Sequence, residues 1–185
     1  MRSSPVVSVF GGAHPREGTA AYMEAMDLGT QLAKAGFTVA TGGYSGVMEA
    51  VSRGAGEARG HVIGVTCDRI EQYAQSASPN SWVAEEIRYA TLRERLYHLV
   101  ANCSAAIALA GGIGTLSEIA LSWSLLQTGE ISPKSLVLVG HAWHSTMNTF
   151  LKQSEGYVQA DHHRLLTLVD DGTSAVRHLQ HVFNN

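Results

Sequence analysis

The ten residues from Ala110 to Ile119 (AGGIGTLSEI) are where this chain most plainly could do chemistry. Gly111, Gly112 and Gly114 lack a Cβ, so an anion can come close to their backbone N–H groups, and a following helix would offer it a positive end. Thr115 and Glu118 come next at the spacing of a capping box, in which threonine caps a helix and glutamate reaches back to it. The same spacing sets the Glu118 carboxylate in the first helical turn after an anion cradle, beside any sugar that a bound phosphate carries. Two readings of Glu118 therefore stand, a helix cap and a working carboxylate.

Two more glycine clusters repeat the arrangement. Gly11-Gly12 ends the apolar run VVSVF, and Gly42-Gly43, with Gly46 soon after, ends FTVA. Such turns serve tight chain reversal in a doubly wound fold, or hold one phosphate between two of them, with Gly12, Gly42, Gly43, Gly46, Gly111, Gly112, Gly114 and Thr115 as candidate contacts. Arg88 and Arg95 are seven residues apart. On the helix expected for this region they project in nearly the same direction, at one edge of an apolar stripe, with Arg88 a candidate phosphate contact. His14, just past Gly12, is a further candidate ligand contact.

The elements that must position these residues follow from the hydrophobic pattern. Apolar runs at Val6–Phe10, Phe37–Ala40, His61–Val65, Ala105–Leu109, Ser135–Val139 and Leu166–Val169 read as buried strands. Helical spacing covers 17–35, 47–58, 83–103, 116–127, and stretches near 142–154 and 174–183. In the 83–103 helix, Tyr89, Leu92, Leu96, Leu99, Val100 and Cys103 form the apolar stripe, with Glu94 and His98 toward solvent. Residues 67–81 read as a surface excursion. Strands alternating with helices predict one doubly wound α/β domain over residues 1–185, a mostly parallel sheet covered on both faces. Ligands of such sheets bind at the carboxyl ends of the strands, near a topological switch point.

Several classes of function are excluded. With 45% hydrophobic and 16% charged residues and a net charge of −3, the chain is globular and has no basic run for nucleic acid or an anionic membrane. No stretch approaches the ~20 apolar residues of a membrane helix, and no secretory signal is read, so a soluble cytoplasmic protein with two reduced cysteines is expected. GGAHPREG is not a dinucleotide fingerprint, Thr41-Gly42-Gly43 replaces the acidic residue that ribose recognition by such folds requires, and no P-loop occurs. No lysine adjoins a glycine loop as a Schiff-base partner would. Nine histidines lack metal-ligand spacing, so no metal site is predicted. The helix 116–127 is apolar nearly all round, which fits full burial or a homodimer interface.

TGGYSGVMEAV at Thr41–Val51, LRERL at Leu92–Leu96 and AGGIGTLSEI resemble the motif set of the Lonely Guy family, and the spacing from Arg95 to Glu118 matches without a gap. The resemblance implies a Rossmann-like fold, usually dimeric, and phosphoribohydrolysis, which splits a nucleoside 5′-monophosphate into free base and ribose 5-phosphate without a metal or organic cofactor. It would make Arg95 and Glu118 the catalytic pair, with AMP or an N6-substituted AMP as substrate. The departures are Ala110 for the family's proline, and Leu96 and Leu92 for its lysine and methionine. The run TGGYSGVMEAVSRGA also resembles a related branch of molybdenum cofactor carriers, which bind a phosphorylated pterin without turning it over.

Overall fold

The computed structural model describes residues 4–74 and 78–184. Its elements in chain order are β1 (Val6–Phe10), α1 (Ala20–Lys34), β2 (Thr38–Thr41), α2 (Val47–Glu57), β3 (Val62–Cys67), α3 (Asp68–Tyr73), β4 (Glu85–Tyr89), α4 (Leu92–Ala101), β5 (Ala105–Ala108), α5 (Ile113–Thr128), β6 (Ser135–Val139), α6 (His141–Gln153), α7 (Ala160–His163), β7 (Leu166–Val169) and α8 (Gly172–Asn184). The strands form one sheet in the order β4-β3-β2-β1-β5-β6-β7, every pair parallel. This is the expected α/β Rossmann-like architecture.

Continuous apolar strands arise because both faces of the sheet are covered. Successive residues of β5 point to opposite faces. Ala105 and Ile107 join a core built with α1, α2 and α8, while Ala106 and Ala108 join one built with α4, α5 and α6. Burying side chains such as Leu28, Leu32, Leu99 and Ile119 completely stabilises the fold by about 1.5–3 kcal/mol each. The chain winds outward from β1 to β4 and returns to β5 on the other side of β1. The switch point therefore lies between β1 and β5, with the ends of β2, β1 and β5 side by side. Three glycine loops far apart in sequence thus share one sheet edge.

Residues 83–103 do not form the long helix read from their pattern. Glu85–Tyr89 (EEIRY) pairs with β3 as an edge strand, and α4 begins only at Leu92. The helix start is set by a capping box formed by Thr91 and Glu94, so two orphan donors are satisfied there. The expected stripe shifts accordingly. Leu92 is 51% exposed, Arg95 is buried, and His98 is half-buried against Tyr89, whose hydroxyl lies 2.8 Å from its Nδ1. The surface excursion is partly ordered, since Cys67 belongs to β3 and α3 follows it; residues 75–77 of that stretch lie outside the described residues.

Lys134 closes the far end of α4. Its ammonium donates to the carbonyl oxygens of Val100, Ala101 and Cys103 at 2.7–3.2 Å, where a cation is favoured by the helix dipole. Both cysteines are free thiols. Among the described residues no helix is long and apolar enough to cross a membrane, and no group of three or more His, Cys, Asp or Glu could hold a metal ion.

Candidate functional site

The β5–α5 junction is shaped first by the helix start. The N-cap is Gly112 and the first helical residue is Ile113, so Thr115 lies inside α5 and Glu118 a full turn beyond the start. The capping-box reading of Thr115 and Glu118 is thereby overturned. The hydrogen-bonding of α5 begins with the Leu116 N–H on the Gly112 carbonyl at 3.0 Å, and no side chain caps the helix. The N–H groups of Ile113, Gly114 and Thr115 are therefore first-turn donors without intrahelical partners, at the positive end of a 16-residue helix. A Cβ added to Gly112 or Gly114 meets nothing within 4 Å. Glycine there keeps space open over these amides.

The β1–α1 loop packs against this start. The Gly12 N–H donates to the Ala110 carbonyl at 3.0 Å, and the Gly12 carbonyl accepts from the Val47 N–H at 2.9 Å. Gly46, the N-cap of α2, has φ of +73°, and a Cβ there would strike the Ala13 and Gly12 backbone. Only glycine meets both demands.

Arg95 is held beneath the β2–α2 loop. Its Nε donates to the Val65 carbonyl at 2.7 Å and its Nη2 to the Gly42 carbonyl at 3.2 Å, and its guanidinium lies 5.7 Å from the Tyr44 ring centroid. A Cβ on Gly42 would overlap that guanidinium. This loop therefore spends its groups on structure. The Gly43 N–H donates to Thr41 Oγ1 and its carbonyl accepts from Asn80.

These pieces enclose a cavity of about 340 Å³. Gly12, Gly112, Gly114, Thr115, Arg95 and Glu118 line it, as does His14, whereas Gly42, Gly43, Gly46 and Gly111 stand behind its wall. Arg88 is elsewhere. It lies on β4, not on a helix with Arg95, and its guanidinium is engaged by Asp68 at 2.8 Å and by Glu71 at 2.6 Å on α3. Tyr44, Met48 and Ile70 also line the cavity and were not singled out in the sequence. Tyr44 sits inside TGGYSG and could have been found there. Ile70 is supplied by α3, for which periodicity gave no signal.

Glu118 is 8% exposed. Burial pushes its carboxyl up to about 7, with the positive charge of Arg95 pulling the other way. No ion pair joins the two among the described residues, and no hydrogen bond to the Glu118 side chain is found there. The arrangement is thus a fixed cation, a carboxyl poised to gain or lose a proton near neutral pH, and a row of backbone donors. Such a site can bind an anion and place an acid–base group beside it.

The model of the SLOG cluster 4 family matches residues 4–163. The chain belongs to that family. As a SLOG protein it is 29% identical over 169 residues to a probable cytokinin riboside 5′-monophosphate phosphoribohydrolase of Oryza sativa subsp. japonica, a match spanning 86% of this chain and 65% of the rice protein. The molybdenum cofactor binding protein of Rippkaea orientalis superposes with a TM-score of 0.75 at 23% identity, over 99% of each chain. The molybdenum cofactor carrier protein of Chlamydomonas reinhardtii superposes with a TM-score of 0.73 at 25% identity, over 98% of this SLOG chain and 99% of its own. Both branches of the resemblance read from the motifs are represented among these relatives.

Proposed function

We propose that the cavity binds a nucleoside 5′-monophosphate, AMP or an N6-substituted AMP, and that the protein hydrolyses its N-glycosidic bond. The observation that carries this reading is the position of Glu118, in the same cavity as the first-turn amides of α5. Glu118 lies five positions along the helix from Ile113, a rise of about 7 Å. That is the scale of a ribose between its 5′-phosphate and its glycosidic carbon.

In this reading the phosphate sits on the amides of Ile113, Gly114 and Thr115. As the C1′–N bond breaks, the base leaves with the electron pair and positive charge builds on the ribose ring. The ionised Glu118 carboxylate stabilises that charge and accepts a proton from the attacking water, whose oxygen bonds to C1′. The departing base takes its proton from solvent. A guanidinium is not an ordinary proton donor, so Arg95 orients phosphate or base. The rice relative, whose name states this activity, supports the reading.

The deciding experiment is chromatographic measurement of free base after incubation with a panel of nucleoside 5′-monophosphates. Release from AMP or an N6-substituted AMP is expected, and release from none overturns the proposal. The likeness to the Chlamydomonas carrier favours a second reading, carriage of a phosphorylated ligand such as molybdenum cofactor without turnover. Under it the same panel gives no free base, while a phosphorylated pterin still raises the melting temperature.

A Cβ at residue 112 would project into the space above the amides without touching protein. Gly112→Ala should therefore fold with stability within about 1 kcal/mol of the parent. It should weaken ribose 5-phosphate binding at least about tenfold, read by the ligand-induced rise in melting temperature. An undiminished rise would remove the phosphate from this cradle.

The proposal includes a homodimer through residues 116–127. Leu116 is 38% and Phe150 47% exposed, and both line an apolar cavity of about 460 Å³ between α5 and α6. The double substitution Leu116→Glu, Phe150→Glu should yield a folded monomer by sedimentation, where the parent sediments as a dimer. A parent that sediments as a monomer contradicts this.

A further inference from the structure

Three of the five side chains that α5 buries are polar: Thr115, Glu118 and Ser122. They form a stripe running from the cavity into the protein, on a helix otherwise apolar where it meets the core. Ser122 is 3% exposed, and its Oγ has no hydrogen-bond partner. A buried hydroxyl left so is costly. Serine in a helix commonly bonds the carbonyl four residues back, but Ser122 does not; the Glu118 carbonyl is not its acceptor. What lies one turn before it on the same face is the Glu118 side chain, also buried and also without a hydrogen bond among the described residues. Helical side chains lean toward the N-terminus of the helix, so the hydroxyl leans toward the turn that carries Glu118.

We infer that Ser122 is a positioning residue for Glu118: its hydroxyl donates to the ionised carboxylate, directly or across one buried water, and so favours the charged form. The hydroxyl then gains its missing partner when Glu118 loses its proton. The other titratable or charged groups lining the cavity with Glu118 are Arg95 from α4, His14 from the β1–α1 loop and Tyr44 from the β2–α2 loop, and none of them changes in a Ser122 variant. The functional meaning of the inference rests on Glu118 being the working carboxylate, but its test uses no activity, so the two can fail separately.

The test is an NMR titration of the protein labelled with ¹³C at the glutamate side-chain carboxyls, with Glu118→Gln identifying the resonance. Ser122→Ala should move the Glu118 midpoint upward by about one pH unit, the size expected for losing one hydrogen bond to a charged group. Ser122→Thr keeps a hydroxyl and should stay at the parent midpoint. An Ala variant that alters only the melting temperature, with the midpoint unmoved, overturns the inference. So does a Thr variant that moves as far as the Ala variant. Both substitutions are small and the Ser122 hydroxyl has no partner in the structure, so both variants are expected to fold.

Discussion

Glu118→Gln is expected to stabilise the protein by about 3 kcal/mol at pH 8 and to cut base release by orders of magnitude. The stability gain follows from linkage. The carboxyl binds its proton more tightly when folded, with its midpoint raised from 4.5 to about 7 by burial. Below pH 4.5 both folded and unfolded chains carry the proton and the residue is neutral in each. Between pH 4.5 and 7 the unfolded chain ionises first, so stability falls as pH rises. Above pH 7 the penalty is complete, at about 1.4 kcal/mol for each pH unit of separation. Glutamine fills the same space without a charge and never meets that penalty. Urea denaturation at pH 4, 6 and 8 should show parent and variant nearly equal at pH 4 and increasingly apart thereafter. Equal stabilities at pH 8 would mean that Glu118 is ordinary and solvated.

The catalytic half of the expectation has the opposite sign. Glutamine can neither accept the proton of water nor balance an oxocarbenium charge, so base release should fall by about 10²–10⁴. Binding of ribose 5-phosphate should persist. In the parent, release should rise with pH through the region near 7, because the carboxylate is the active form. A residue that costs stability while supplying activity is what a functional site predicts. A variant that is both more stable and fully active would leave Glu118 a structural curiosity.

Arg95→Met is the second large effect, and it destabilises. The arginine is 6% exposed and donates to two backbone carbonyls, those of Val65 and Gly42. Methionine fills part of the space but takes away both donors, at a cost of about 3–5 kcal/mol in all. The charge that pulls the Glu118 carboxyl downward is lost as well, so its midpoint should climb above 7 and the active form should become scarcer at neutral pH. Denaturation and carboxyl titration of the same variant check both halves. A loss under about 1 kcal/mol would show that the two carbonyl bonds are readily replaced. Lysine offers one ammonium where the guanidinium spans two acceptors, so Arg95→Lys should recover only part of the loss.

Much of this was legible in the chain. Six of the seven strands are continuous apolar runs, because a strand covered on both faces has no polar side to show. The Arg95-to-Glu118 spacing and the glycines after Phe10, Thr41 and Ala110 pointed to one edge of one sheet. The seventh strand, EEIRY, was missed for a physical reason. At the sheet's edge its side chains are largely exposed, so its composition follows solvent and not a core. Arg88 was misplaced with it, onto a helix beside Arg95, when its charge in fact serves Asp68 and Glu71.

The sequence by itself determined the alternation of six strands with helices, the placing of glycine where backbone must come close, and the presence of one arginine and one glutamate able to work together. Only the tertiary structure decided what that glutamate is. Thr115 and Glu118 spell a helix cap, yet the helix starts earlier at Gly112 and leaves the carboxyl a turn deep. Its proton affinity then depends on water excluded by α4 and the β2–α2 loop, and on a charge carried by another helix. Desolvation and Coulomb interactions act through space, and local spacing does not encode them.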